Sequence, residues 1–218
     1  MQGPSERGDA LRGKIEAIMA RIPRERMNEA SAATREAERG ILAARIKAAK
    51  VPPRFSGCEM STAEARGWVR GCLEGSPRNL VLSGRAGSGK TREACAALEA
   101  VAGSKTCLYA TFGVVLRDVR ATYGGEGSER SALSRYRTVG VLLMDDLGKE
   151  RPTPDALEKL FAVLDARYAS MRPTVFTTQY GRDALGRRLM AEGGDFEQAD
   201  AILRRVYQDA EAVVMDGR

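Results

Sequence analysis

The stretch NLVLSGRAGSGKT, residues 79–91, decides the predicted fold because it reads as a strand, a glycine-rich loop and the first turn of a helix. Its glycines permit turns that are barred to residues with a Cβ, so successive backbone N–H groups can point at one anion. The helix that follows offers its positive N-terminal end to the same anion. From Gly84 to Thr91 the sequence matches the complete phosphate-loop signature G-x-x-x-x-G-K-[ST].

This signature predicts that nucleotide phosphates are held by Gly84, Arg85, Ala86, Gly87, Ser88, Gly89, Lys90 and Thr91. In such loops the lysine reaches the β- and γ-phosphates, and the hydroxyl of the last residue ligates Mg²⁺. The alternative is a glycine-rich turn that arose by chance. The strand-like apolar run ahead of the loop favours nucleotide binding over that alternative.

The composition excludes several classes of protein. The 218 residues suffice for one α/β domain with a small appendage. No run of eighteen apolar residues occurs and the N-terminus lacks a signal-peptide core, so we expect a cytoplasmic protein with no membrane partner. The chain has no histidine, and its four cysteines are widely spaced, which argues against zinc fingers and histidine-based catalysis. We expect the cysteines to be small core residues.

The formal net charge is +6, and the excess of basic residues is concentrated near the N-terminus. Residues 1–50 contain 11 basic and 7 acidic side chains, against 24 and 22 in the remainder. Lysine and arginine that neutralise phosphates gain free energy from counterion release, so the excess fits a nucleic-acid partner. An ordinary solvated surface is the alternative, and charge alone does not separate the two.

Two helical segments, over residues 9–22 and 28–50, are predicted ahead of the phosphate loop. The second segment has only Ile41, Leu42 and Ile46 as larger apolar anchors. Fifty residues with so few large side chains bury little apolar surface on their own. We therefore interpret residues 1–50 as a helical module that binds a partner protein, with an N-terminal cap on the main domain, residues 51–218, as the alternative.

Strands and helices alternate along the main domain, which predicts an open parallel sheet flanked by helices. Ser61 and Glu64 indicate a capping box for a helix that buries Trp68, Val69 and Leu73. Further strands are predicted at 107–112, 139–145, 173–179 and, at an edge of the sheet, 212–216. Further helices are predicted at 90–101, 114–123, 182–190 and 197–207. One more helix is predicted after Thr153, and its core-facing residues are Leu157, Leu160, Phe161, Leu164 and Tyr168.

Two carboxylates close the apolar run VGVLLMDD, residues 139–146, where a buried central strand is predicted to end. At that edge of the sheet Asp145 can hold Mg²⁺ through water opposite Thr91, and Asp146 can polarise the attacking water. Turn-forming side chains are the alternative, and Glu150 is a weaker candidate for orienting water. The end of the next strand, Thr178-Gln179, adds amides that can reach the γ-phosphate or the attacking water, with a surface turn as the alternative.

Five segments together resemble a known family: VPPRF, GRAGSGKT, LLMDDLGKE, RPTVFTTQY and ILRRV. Their order and spacing are similar to those of the DnaC/IstB group of AAA+ ATPases, the bacterial and phage helicase loaders, over about residues 48–216. The resemblance implies an α/β phosphate-loop NTPase domain. Since the sequence stops at Arg218, we expect this domain to lack the helical lid that many AAA+ proteins carry.

Residue roles follow from the resemblance position by position. Asp145 matches the metal-associated acid and Asp146 the catalytic carboxylate, which is often Glu in this family. Gln179 lies where the family usually has Asn as its first sensor. Arg205 matches the arginine finger that reaches the ATP of a neighbouring subunit, with Arg204 as the close alternative.

The resemblance implies a weak, assembly-dependent ATPase that loads a hexameric replicative helicase onto single-stranded DNA. Its partners would be the helicase, bound by the N-terminal helices, single-stranded DNA and further copies of itself that meet at the ATP site. One alternative is a transposition helper ATPase, which shares the same domain. Another is a nucleotide-switched adaptor with negligible turnover, favoured by Asp146 and Gln179 in place of Glu and Asn.

Overall fold

The computed structural model describes residues 24–125, 127–190 and 196–216 of the chain. The chain divides into two compact units, Met1–Ala43 and Ala44–Arg218. Helix α1, Arg24–Ala48, begins in the first unit and ends in the second. It confirms the second predicted helix, whereas the helix predicted over residues 9–22 lies outside the described residues.

The second unit alternates strands and helices as predicted. After a 3-10 turn at Pro53–Phe55 it contains α2 (Ala63–Leu73), β1 (Leu80–Ser83), α3 (Lys90–Val101), β2 (Cys107–Thr111), α4 (Phe112–Arg120), α5 (Glu129–Thr138), β3 (Val141–Leu147), α6 (Pro154–Ala169), β4 (Thr174–Thr178), α7 (Arg182–Met190), α8 (Phe196–Tyr207) and β5 (Glu211–Val214). Helix α5 was not predicted, because its sequence is mostly polar and buries only Leu133 and Tyr136. Within the described residues, no helix is both long enough and apolar enough to cross a membrane.

The described strands form one parallel sheet in the order β2-β3-β4-β1-β5. This confirms the predicted parallel sheet and places β5 at one edge. Because all the strands run in the same direction, the loops that follow β1, β3 and β4 leave the sheet at the same side. The carboxyl ends of the strands therefore bring together the phosphate loop, the two aspartates and the Thr178-Gln179 pair.

Alternate residues of the central strand β3 enter two apolar cores. Leu142 and Met144 pack in the core that holds helices α4 to α8. Val141 and Leu143 pack in the core that holds α2 and α3. This period of two follows from the pleat of a strand, and helices on both faces explain why β3 reads as a continuous apolar run.

The cysteine prediction is confirmed for three of the four residues. Cys72, Cys95 and Cys107 are buried in the core beside α3, and all four cysteines are free thiols. Burial raises the pKa of Cys95 and of Cys107 to about 12, so these two thiols stay protonated and unreactive at neutral pH. Cys58 is partly exposed, so it is not a core residue.

Two predicted core residues are exposed instead. Leu73, the last residue of α2, is 48% exposed, and Cys72 takes the buried position beside it. Tyr168, in the last turn of α6, is 43% exposed and covers the guanidinium of Arg205 with its ring. The predicted capping box is also wrong by one residue, since Thr62 rather than Ser61 is the N-cap of α2.

Candidate nucleotide-binding site

The phosphate loop connects the carboxyl end of β1 to the start of α3. Gly84, Gly87 and Gly89 have φ values of 145°, 78° and 92°, so the predicted need for glycine is confirmed. A Cβ at Gly84 would overlap the carbonyl oxygen of Met215, which lies just beyond β5. A Cβ at Gly87 would meet no atom within 4 Å, so the tip of the loop is open for a ligand.

Lys90 is almost fully buried at the first position of α3. Its ammonium group donates to the carbonyl oxygen of Arg85 at 2.8 Å and lies 3.5 Å from the hydroxyl of Ser88. Burial lowers the pKa of Lys90, while the negative charges of Asp146 and Asp145 oppose that shift. The cation is therefore held inside the loop that is predicted to bind phosphates.

Thr91 and Asp145 are brought into direct contact. The Thr91 hydroxyl donates to Oδ1 of Asp145 at 2.9 Å. The same carboxylate accepts hydrogen bonds from the hydroxyl of Thr177 on β4, at 2.6 Å, and from that of Tyr109 on β2, at 2.8 Å. A carboxylate beside a threonine hydroxyl fits Mg²⁺, which prefers oxygen ligands and usually retains several waters.

Asp146 occupies a bulge that the sequence did not indicate. The pairing of β3 with β4 shifts between Met144 and Leu147, and Asp146 has a left-handed φ of 57°. Its N–H donates to the Thr177 hydroxyl at 2.9 Å, and its carboxylate accepts from Lys149 at 3.1 Å. The two neighbouring aspartates therefore have different partners, and Asp146 is the more exposed of the two.

Gln179 directly follows β4 and lies in the same pocket as Asp146. Gln179 is exposed and lines a pocket with Asp146, Lys149 and Tyr180. Thr178 is fully buried, and its hydroxyl donates to the carbonyl of Leu147 at 2.8 Å.

Glu150, the weaker candidate for orienting water, has its carboxylate against Gly113 in the first turn of α4. It is absent from the residues that line the pocket around Asp146.

Arg205 lies near the end of the sheet where the strands begin, whereas the phosphate loop lies where β1 ends. Its carbonyl accepts from Asn79, just ahead of β1, at 2.8 Å, and its guanidinium bonds Asp165 at 2.9 Å. Asn79 is four residues from Ser83, the last residue of β1, which is roughly 13 Å along the strand at about 3.3 Å per residue. Among the described contacts, neither Arg205 nor Arg204, which pairs with Asp200 at 2.6 Å, touches the phosphate loop of its own chain.

Glu93, in the first turn of α3, is an acid whose role was missed from the sequence. It is 1% exposed and accepts hydrogen bonds from the backbone and hydroxyl groups of both Ser61 and Thr62, at 2.7 to 3.0 Å. Burial alone would raise the pKa of Glu93, but the bonds from Ser61 and Thr62 outweigh it and lower the pKa. The carboxylate therefore ties the start of α2 to the helix that carries Lys90 and Thr91.

Tyr109 and Thr177 were also missed. Thr177 stands next to the predicted Thr178-Gln179 pair, so its position at a strand end was a usable signal. Nothing in the spacing marks Tyr109, because its contact with Asp145 depends on how β2 pairs with β3.

Solved structures with the same fold include DnaI, with a TM-score of 0.65 and 22% identity over 76% of this chain and 95% of that chain. The DnaC helicase loader has a TM-score of 0.61 and 22% identity over 76% of this chain and all of that chain. AMPPCP-bound DnaA from Aquifex aeolicus has a TM-score of 0.60 and 15% identity over 76% and 51% of the two chains. These likenesses show that the chain shares the fold of these three proteins, in which a parallel sheet is flanked by helices as predicted.

Two relatives match by sequence. A protein of insertion sequence IS1162 from Pseudomonas fluorescens is 32% identical over 55% of this chain and 49% of its own length. The uncharacterized protein YdaV of Escherichia coli K12 is 29% identical over 51% and 47%. The chain thus spans about half the length of the curated relatives it matches.

A family model described as IstB-like ATP binding protein matches residues 30–218, which include the phosphate loop, both aspartates and the end of β4. This match covers most of the chain and confirms the resemblance that the five sequence segments indicated. The chain belongs to the IstB-like family of ATP-binding proteins.

Proposed function

We propose that the chain is an ATPase that loads a replicative DNA helicase onto single-stranded DNA, with ATP binding and hydrolysis as its switch. The observation that carries the ATPase part is the contact of Thr91 with Asp145 directly beside the phosphate loop. The loader part is supported by the likeness in fold to DnaI and to the DnaC helicase loader. The family match supports ATP as the nucleotide.

In the proposed reaction, Lys90 binds the β- and γ-phosphates and stabilises the charge that develops on them. Thr91 and Asp145 would hold Mg²⁺, which neutralises charge on phosphate oxygens when bound. Asp146 orients and polarises the attacking water, and Gln179, in the same pocket, senses the γ-phosphate. The oxygen of that water bonds to the γ-phosphorus while the bond from this phosphorus to the bridging oxygen breaks. The water loses a proton to the solvent, and the products are ADP and phosphate.

Arg205 is proposed to complete the site of a neighbouring copy. Because Arg205 is far from the phosphate loop of its own chain, we propose that it reaches the nucleotide bound by a neighbouring copy. An arginine that arrives from a neighbour stabilises transition-state charge only after assembly, so turnover would rise with protein concentration. In the structure, Asp165 and the ring of Tyr168, 4.2 Å away, hold this guanidinium near the surface.

The N-terminal module, predicted as residues 1–50, is proposed to bind the helicase. Ile41 and Leu42 in α1 are 55% and 40% exposed, which suits residues that anchor a partner protein. The end of the module has another role, since Ala49, the residue after α1, is fully buried in the second unit. We therefore assign partner binding to the part of the module that precedes Ala44.

Single-stranded DNA is proposed to contact α4 and α5. Arg117, Arg120 and Arg130 are exposed on these helices, and Tyr123 between them is 60% exposed. Basic side chains beside an aromatic ring fit a strand whose phosphates need neutralising and whose bases can stack. The nearby acid Asp118 is already paired with Arg135, so it leaves these arginines free to meet phosphates.

A transposition helper ATPase is the second candidate function. The relative from insertion sequence IS1162 is the specific observation that favours it. The ATP site would be the same in both functions, while the partner would be a transposase in place of a helicase. A nucleotide-switched adaptor with negligible turnover would share the partner but not the hydrolysis.

The partner can be identified by co-purification of the tagged full chain from an extract of its own host, with ATP and with ADP. We expect the replicative helicase to be recovered with ATP and lost from an Ile41→Asp, Leu42→Asp double variant. Glu38→Ala, an exposed change on the same helix, is the matched control and should retain the helicase. Recovery of a transposase would support the second candidate, and recovery of DNA alone would contradict both.

A further inference from the structure

Tyr109 reaches the magnesium-associated acid from the outer strand of the sheet. Its hydroxyl donates to Oδ2 of Asp145 at 2.8 Å. In the pairing of β2 with β3, Tyr109 lies opposite Leu143 and Thr111 lies opposite Asp145, so the phenol extends along the sheet toward the site.

The other side chains that donate to Asp145 contact Oδ1, the oxygen that Tyr109 does not contact. Thr91 and Thr177 both donate to Oδ1, at 2.9 and 2.6 Å. Tyr109 is the one described side chain that donates to Oδ2. The torsion that rotates a carboxylate has broad minima and moves both oxygens together, so the bond on Oδ2 adds a third restraint to the two bonds on Oδ1.

The backbone of Tyr109 is fixed as well. Its N–H donates to the carbonyl oxygen of Ala49 at 2.7 Å. Strand β2 is at the edge of the sheet, so this bond satisfies an N–H that would otherwise face solvent. Ala49 is fully buried, and Arg45 on the last turn of α1 bonds the carbonyl of Gly103. The end of α1 thus helps to set the position of the Tyr109 ring.

We propose that Tyr109 is a positioning residue that orients Asp145 for Mg²⁺ and is itself held in place by the end of α1. This inference rests on the proposed function, in which Asp145 is the metal-associated acid. Partners that hydrogen-bond a metal-associated carboxylate typically change metal affinity by about 10- to 100-fold when they are removed. Tyr109 acts through Asp145, so its loss should alter the magnesium requirement more than nucleotide affinity.

The test is a Tyr109→Phe variant of the full chain, which removes one hydroxyl and leaves the ring. Binding of a fluorescent ATP analogue is measured while Mg²⁺ is titrated, and again in excess EDTA. We expect the Mg²⁺ concentration at the midpoint to rise about tenfold, with metal-free analogue binding unchanged. Unchanged magnesium dependence would overturn the inference. An equal loss of binding with and without Mg²⁺ would also overturn it, because that result indicates general damage to the site.

Two further variants separate the inference from the function on which it rests. Tyr207→Phe is the matched control, because the Tyr207 hydroxyl is buried without a described hydrogen-bond partner and should not affect Mg²⁺. Asp145→Asn should abolish most of the magnesium dependence. If Asp145→Asn has this effect and Tyr109→Phe does not, the inference fails while the metal assignment stands. If Asp145→Asn binds Mg²⁺ and analogue like the wild type, the proposed metal assignment itself fails.

Discussion

Replacing Lys90 with alanine is expected to reduce ATP affinity by at least about 100-fold, because it removes the hydrogen bonds of the ammonium group to both the β- and the γ-phosphate. A hydrogen bond to a charged group contributes about 1.5–3 kcal/mol, and about 1.4 kcal/mol changes affinity tenfold. The ammonium group of Lys90 is buried in the phosphate loop, and its described hydrogen bonds are to Arg85 and Ser88 of that loop. Alanine leaves no cation to meet the β- and γ-phosphates. Titration with a fluorescent ATP analogue measures the loss.

Lys105→Ala is the matched control for this prediction. Lys105 lies in the turn before β2, on the side of the sheet where the strands begin, and it is not part of the phosphate loop. Its removal should leave ATP affinity unchanged. If Lys90→Ala bound the analogue as tightly as the wild type, the nucleotide would have to be held elsewhere and the site assignment would be wrong.

Replacing Arg167 with methionine is expected to lower the free energy of unfolding by about 4 kcal/mol, an exceptional effect for one residue. Arg167, in the last turn of α6, is 1% exposed, and burial lowers the pKa of its guanidinium. The guanidinium donates to Thr174 and to four carbonyl groups, those of Tyr136, Val139, Gly140 and Pro173, at 2.6 to 3.4 Å. It joins the end of α5 to the start of β4, and methionine would leave these carbonyls buried without a donor.

Urea denaturation followed by circular dichroism measures this loss. Arg172→Met provides the comparison, because the Arg172 side chain lines the same pocket but makes no described hydrogen bond or ion pair, and the change should alter stability by less than about 0.5 kcal/mol. Arg167→Lys should lose most of the same free energy, since an ammonium group cannot reach five acceptors spread around a planar fork. Equal stability of wild type and Arg167→Met would show that these carbonyls find other donors.

The sequence was most informative where local rules act alone. The glycines of the phosphate loop require positive φ, and the bounds of α3 match the prediction at both ends. The continuous apolar run at β3 follows from burial on both faces of a parallel sheet. The parallel sheet follows from the alternation of strands and helices, and β5 lies at an edge as predicted, but the order of the strands was not predicted.

What the sequence did not predict depends on contacts between strands. Strand β3 continues to Leu147, two residues past its predicted end at Asp145, and the bulge at Asp146 appears only when β3 is paired with β4. Tyr109 reaches Asp145 because of the register between β2 and β3. Arg167 would be expected at the surface as an arginine in a helix, yet five hydrogen bonds from distant segments hold it in the core.

The proposed ATP site shared between copies is tested most directly by mixing two variants. Asp146→Asn should bind ATP without hydrolysing it, and Arg205→Ala should leave each monomer able to bind ATP but unable to complete a neighbour's site. Arg204→Ala, an exposed neighbour, is the control and should remain active.

The measurement is the rate of phosphate release from each variant alone and from an equal mixture of the two. In a head-to-tail assembly, one contact in four would combine an intact Asp146 with an intact Arg205, so the mixture should recover roughly a quarter of the wild-type rate. A mixture as inactive as its two components, under conditions where the wild type hydrolyses ATP, would contradict a site completed by Arg205 of a neighbouring copy.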